Sequence, residues 1–284
     1  MMKPTVSYII CSTPRCGSHL LSEALQNTQV AGKPDEYFII DQNGRLENET
    51  GNIAEQYGRM TLTEFREFVL RFGSTDNGVF GIIIAMNYLP QIAQNYQQLP
   101  DYQGLDHYQL LNRLFHNPKY IWITRQDKVR QSVSLVKALA TDSWIQTKKE
   151  KDAPVKKPVF NYTALEHWRN RLDEIDQRWP AFFEANNITP YKVVYEDLVH
   201  NYEQTALEIL DFLGVPRPET VAFRERRLQK QADQLNEEWV ARYYAIKRYE
   251  RFTIGRWLLR TNQSIYKLSV RRVVRSLLGK MRSK

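Results

Sequence analysis

The stretch YIICSTPRCGSHLLSEAL, residues 8–25, sets an apolar strand against a tight turn and a helix start. Arg15, Cys16, Gly17, Ser18, His19 and Leu20 fall in or just after the turn. A glycine turn that opens a helix aims backbone N–H groups and the positive end of the helix dipole at one spot, which suits a phosphate. Aligned on Gly17 with the nucleoside-triphosphate loop G-x-x-x-x-G-K-[ST], the chain has Ser12 for the first glycine. Ser18 stands for the lysine and His19 for the hydroxyl that holds Mg²⁺. Those two parts serve a triphosphate and its metal. What remains is a grip for a phosphate group that needs no metal ion. The competing reading is a helix start capped by Ser18, with no ligand.

A second segment, YIWITRQDKVRQSVSLVKALA (residues 120–140), ends a buried strand in Thr124-Arg125, where an ATPase usually places a metal-binding aspartate. Ser132 follows seven residues later, on the first turns of the next helix. Arg125 and Ser132 would meet a second phosphate at the carboxyl edge of the sheet, where α/β ligands bind. Two phosphate grips without magnesium machinery describe a nucleotide with a 5′-linked group and a separate 3′-phosphate. The activated sulfate donor 3′-phosphoadenosine 5′-phosphosulfate (PAPS) and its product PAP fit that description.

The elements that must position these residues are legible as apolar runs. Val6–Cys11, Asn77–Ile84, Tyr120–Thr124 and Tyr191–Tyr195 read as strands apolar on both faces. Helices are expected over Ser18–Gln26, Thr61–Arg71 (with capping-box spacing from Thr61 to Glu64), Lys128–Ala140, Tyr162–Asn186, Tyr202–Leu213 (stopped by Gly214) and Glu237–Arg251. The fold class is α/β, a P-loop-like central parallel sheet flanked by helices on both faces. Residues 141–160, lysine-rich and broken by two prolines, read as a mobile loop.

The chain has 284 residues and a net charge of +8. Nine of its 40 basic residues lie in 256–284, leaving 31 to set against all 32 acidic ones. The body is nearly neutral, so nucleic acid is a poor partner for it. The sequence therefore divides into a domain over 1–255 and a basic, amphipathic tail over 256–284. The tail reads either as a helix docked on the domain or as one held on an anionic membrane surface. No run reaches the roughly 18 apolar residues of a spanning helix. Two cysteines and the lack of a signal-peptide pattern point to the cytoplasm, with the tail peripheral on the inner face of the membrane.

At the level of whole segments the chain resembles the PAPS-dependent sulfotransferases, most closely the bacterial trehalose 2-sulfotransferase-like branch. STPRCGSHLL is similar to the family's 5′-phosphosulfate loop and TRQDKVRQSVS to its 3′-phosphate segment. VAGKPDEYF (Val30–Phe38) resembles the stretch that carries the branch's catalytic carboxylate. VVYEDLVHNYEQTALEILDFLG resembles the common strand-helix segment, and KQADQLNEEWVARY (Lys230–Tyr243) the segment that closes over the nucleotide. The resemblance implies that Arg15 to Leu20 hold the 5′ end, Arg125 and Ser132 the 3′-phosphate, and Lys230 and Gln231 the closing contacts.

By the same resemblance Glu36 is the general base, with Asp35 the alternative on spacing. The acceptor is a sugar or glycolipid, the chain pairs as a homodimer, and no metal takes part. Tyr37 and Phe38 are expected to stack on a sugar face. Two positions depart from the branch: Ile83 replaces a lysine, and His19 replaces a small hydroxyl residue. His19 reads either as a donor to the leaving phosphate, alongside Arg15, or as a helix-start residue bonded to backbone. Competing functions are a kinase with a degenerate loop and a catalytically inactive, nucleotide-binding or membrane-tethered module.

Overall fold

A computed structural model describes residues 3–40, 46–47, 60–141, 144, 158–220, 223 and 234–250. In chain order the strands are β1 (Val6–Ser12), β2 (Ile39–Ile40), β3 (Leu46–Glu47), β4 (Val79–Ala85), β5 (Lys119–Thr124) and β6 (Tyr191–Val194). The helices are α1 (Ser18–Asn27), α2 (Leu62–Phe72), α3 (Leu89–Tyr96), α4 (His107–Phe115), α5 (Lys128–Thr141), α6 (Tyr162–Asp176), α7 (Arg178–Ala185), α8 (Tyr195–His200), α9 (Tyr202–Leu213) and α10 (Gln234–Glu250).

One sheet has the order β4–β1–β5–β6, every pairing parallel; β2 and β3 form a short antiparallel pair. The central strand explains the apolar runs. Ile10 pairs with Ile83 on one side and Ile121 on the other, and both faces of the sheet are covered. Ile9, Cys11, Ile82 and Ile84 pack beneath α2, α3, α4 and α7. Tyr8, Ile10, Ile83, Ile123 and Val193 pack beneath α1 and α9. A third cluster joins Val129, Val133 and Val136 of α5 to Leu165 of α6 and Trp239 of α10. Burying aliphatic residues on both faces forces the parallel α/β layering.

From β1 the chain crosses to β4 on one side, whereas from β5 it crosses to β6 on the other. The crevice between β1 and β5 is therefore where the strand order reverses, and open α/β sheets bind ligands there. The expected α/β class and two-sided cover hold.

Several details differ from the sequence reading. The single helix expected over Tyr162–Asn186 is two, α6 and α7, meeting at Gln177. Pro180 causes this, since its ring lacks an N–H and crowds the carbonyl of residue 176. Tyr195 begins α8 instead of ending β6. α3 and α4 were not anticipated, although Asp106 and Gln109 form a capping box at the start of α4. The capping box at Thr61 and Glu64 forms as expected, and Gly214 closes α9 at φ 74°. Lys230, Gln231, the tail over 256–284 and most of the loop over 141–160 lie outside the described residues. No helix among the described residues is long and apolar enough to cross a membrane.

Candidate active site

The loop between β1 and α1 takes an alternating backbone. Arg15 has φ 64° and Gly17 φ 100°, with Cys16 between them. Alternation of this kind turns successive N–H groups toward one concavity, a nest for an anion. The first intrahelical bond of α1 runs from Leu21 N to Gly17 O at 3.1 Å, so the amides of 18–20 precede the helical ladder at its N-terminus. Gly17 itself caps the helix, not Ser18, which sits one position inside and is buried. A Cβ at Gly17 would stand 2.4 Å from Tyr195 Cδ2. Glycine is required there by both the backbone and its neighbour.

Cys16 is fully buried. Burial pushes its thiol up to about 11, helped by the charges of Asp176 and Glu36 and opposed by backbone hydrogen bonds. The side chain is therefore neutral packing, and its main-chain N–H donates to Thr13 O at 3.2 Å inside the loop. Leu20 packs against the cluster under α1.

Arg15 sends its guanidinium toward α5 and Trp144. Its Nε donates to Ser134 Oγ at 3.0 Å and its Nη1 to the Trp144 carbonyl, tying the loop to α5. Gln131 of α5 holds the loop from beneath, donating to Thr13 Oγ1 at 3.2 Å and Pro14 O at 2.8 Å. Arg125 follows β5 and lies over the Tyr195 ring, 4.3 Å from its centroid, with Nη1 3.4 Å from Arg15 O. Its Nε is buried and has no hydrogen-bond partner among the described residues. Glu196 fixes the turn beyond it, accepting from Gln126 N and Asp127 N at 3.1 Å each. The end of β6 thus orients the end of β5. Ser132 is fully buried and its hydroxyl donates to Val129 O at 2.8 Å. A phosphate there would have to win that proton from a carbonyl.

The segment with the two acids runs along the free edge of β4. Ile83 N donates to Asp35 O at 3.0 Å, and Gln26 Nε2 of α1 donates to Pro34 O at 3.1 Å. Ser22 Oγ donates to the same Pro34 carbonyl. Gly32, at φ 74°, lets the chain approach so closely that an added Cβ would meet Gly81 N at 2.8 Å. Asp35 Oδ1 accepts from Glu36 N at 2.8 Å and lies 3.9 Å from His19 Nε2. Asp35 is thereby occupied locally, while the Glu36 charge is felt at Cys16 in the nest. The charged neighbour of His19 is Asp35.

Two substrate contacts read from the sequence need correction. Tyr37 and Phe38 are buried, at 3% and 2% exposure. The Tyr37 hydroxyl donates to Lys33 O, and Phe38 packs on Phe65, Tyr96 and Phe115. Their rings complete the core under α2, so neither presents a face to a sugar. Ile83 likewise faces the core beneath α1. Sequence reasoning missed Tyr195, Glu196 and Gln131, which touch the loop or the turn after β5. The pair Tyr195-Glu196 directly after a buried strand was the signal available for two of them.

The family model described as Stf0 sulphotransferase matches residues 7–246. The trehalose 2-sulfotransferase of Mycolicibacterium smegmatis is 30% identical over 260 residues, 84% of this chain and 94% of that one. The trehalose 2-sulfotransferase of Mycobacterium tuberculosis is 28% identical over 277 residues, 86% of this chain and 97% of that one. Two solved sulfotransferase domains align more loosely. That of the curacin biosynthetic pathway is 17% identical over 81% of this chain and 82% of its own, with a TM-score of 0.45. That of the Synechococcus PCC 7002 olefin synthase is 16% identical over 84% of each, with a TM-score of 0.39.

Proposed function

The chain belongs to the Stf0 sulfotransferase family, and from that premise we propose that it moves a sulfuryl group from PAPS to a hydroxyl of a carbohydrate. The acceptor class is trehalose, named in both relatives, or a glycan or glycolipid like it. The observation that carries this reading is the nest at Arg15–Gly17 beside Arg125, whose buried Nε has no hydrogen-bond partner among the described residues. A buried guanidinium N–H left unpaired is costly, and an anionic ligand supplies what it lacks.

The residues divide the work. Backbone amides of the loop and the start of α1 hold the 5′ end and offset the charge that develops on the leaving phosphate. Arg125 and Ser132 take the 3′-phosphate, and Lys230 and Gln231 close over the nucleotide. Glu36 removes the acceptor proton as the new O–S bond forms, and its placement beyond the loop suits in-line displacement. Asp35 anchors the segment through its carbonyl and its side chain. Residues 1–255 are the transferase domain and act without a metal ion. The tail over 256–284 lies on an anionic membrane surface, and the chain works as a dimer.

The test is direct. With ³⁵S-labelled PAPS, trehalose or a trehalose glycolipid should take up label, and calorimetry should register PAP. Failure of PAP to bind overturns the reading. Deletion of 256–284 should abolish sedimentation with anionic liposomes; unchanged partitioning ends the membrane assignment.

A further inference from the structure

The last residue of β5 is Thr124, in the position where a nucleoside-triphosphate enzyme places a carboxylate that helps hold Mg²⁺. Its hydroxyl donates to Asp176 Oδ2 at 2.5 Å, and Lys128 Nζ reaches the same oxygen at 2.6 Å. Asp176 is 2% exposed, and its other oxygen, Oδ1, is buried with no hydrogen-bond partner among the described residues. The place of the cluster is fixed from two sides. Trp179, three residues on, donates to Ser12 O at 2.9 Å at the end of β1, and the Asp176 charge is felt at Cys16 in the nest. The three side chains therefore meet at the carboxyl end of β5, on the side of the sheet edge where the β1–α1 loop lies.

A buried carboxylate with one oxygen unpaired is expensive, and a structural ion pair would ordinarily satisfy both. The Lys128 ammonium has three donors, of which Asp176 takes one, and its side chain keeps 14% of its surface exposed. The other cations near the nest are engaged differently. Arg15 points to Ser134 and Trp144, and Arg125 lies on Tyr195. The loop lysine is replaced by Ser18, and the strand lysine by the buried Ile83.

We propose that Lys128, held by Asp176 and Thr124, contacts the transferring sulfuryl group of the bound donor. It supplies at this edge the positive charge that triphosphate enzymes obtain from a divalent ion. The inference rests on the PAPS reading above and adds a residue to it. In the transfer, the acceptor oxygen forms its bond to sulfur while the bond from sulfur to the 5′-phosphate oxygen breaks. The electron pair leaves with PAP and the acceptor proton goes to Glu36. Lys128 stays protonated throughout and offsets the negative charge on the sulfuryl oxygens. Asp176 is a positioning residue, acting through the ammonium it orients.

Calorimetry of PAPS and PAP, each without acceptor, separates this contact from nucleotide binding in general. The parent should bind PAPS about tenfold tighter than PAP, a difference typical of one charge-assisted contact. Lys128→Met alone strands a buried carboxylate, so the informative variant is the double change Lys128→Met with Asp176→Asn, which removes both charges together. It should bind PAP within about threefold of the parent and lose the preference for PAPS, while Lys128→Arg keeps most of it. A parent with equal affinity for the two nucleotides overturns the proposal, as does a double variant that retains the preference. If PAP binding falls as far as PAPS binding, Lys128 serves the nucleotide and the sulfuryl assignment is wrong. A parent that binds neither nucleotide brings down the donor reading itself.

Discussion

Helix α6 carries two acids ten residues apart, Glu166 and Asp176, and their surroundings are opposites. Glu166 is saturated: Tyr243 and Arg169 donate to Oε2, and Lys247 and Arg169 to Oε1. Burial opposes its ionisation, but the hydrogen bonds from Lys247, Tyr243 and Arg169 outweigh that and hold the carboxyl down to about 2. These bonds clamp α10 to α6, aided by Arg130 on Glu237 and Lys137 on Asn236 from α5. Asp176, at the sheet's carboxyl edge, leaves one oxygen without a hydrogen-bond partner among the described residues. Buried Arg125 Nε, Ser12 Oγ and Gln131 Oε1 near the same loop likewise lack one there. Folding tolerates polar groups without partners when something else will complete them. One end of the helix is completed by hydrogen bonds within the fold; the other keeps a buried carboxylate held by Thr124 and Lys128 on one oxygen.

That contrast can be broken experimentally, because the unfinished end should govern chemistry and the finished end stability. Glu36→Gln should lower the single-turnover rate about 1,000-fold, within the range for losing a general base, with PAP affinity and melting temperature unchanged. A variant within tenfold of the parent removes Glu36 from that role. Arg125→Ala should weaken PAP binding about 100-fold by deleting charged hydrogen bonds. A Kd unaltered by the change would mean that the guanidinium serves Tyr195 alone.

Glu166→Gln should leave turnover nearly intact and cost about 2 kcal/mol of stability, a figure discounted for partial exposure. Its folded pKa lies near 2, below the ordinary 4.5. The charge contribution is therefore complete above about pH 4.5 and fades as the pH falls toward 2. Urea midpoints of parent and variant should stand apart at pH 7 and draw together at pH 3. A gap that stays constant with pH would show that packing, not charge, holds α10.

Much of this architecture is local and was open to reading. The strands announce themselves because Tyr8–Cys11 and Ile82–Ala85 are apolar at successive positions, as a sheet covered on both faces requires. Thr61 and Glu64 write their own capping box, and Gly214 its own helix stop. The nest was legible from the glycine turn at Gly17 and the missing lysine. Tyr37 and Phe38 were misread because an aromatic beside an acid looks the same in sequence whether it faces a sugar or a core. Only the packing of α2 decides which. Lys128 and Asp176 were invisible as a pair, being 48 residues apart on elements that meet at the end of the sheet.

The amino-acid order by itself determined the parallel α/β layering and the glycine turn that follows β1, since each depends on residues within one turn or strand of each other. Tertiary structure alone decided where Arg15 points and which rings are buried. It alone decided that a lysine, a threonine and an aspartate converge at the carboxyl end of β5. Side-chain partners across the sheet's edge are set by how the layers pack, and a linear spacing carries no record of that.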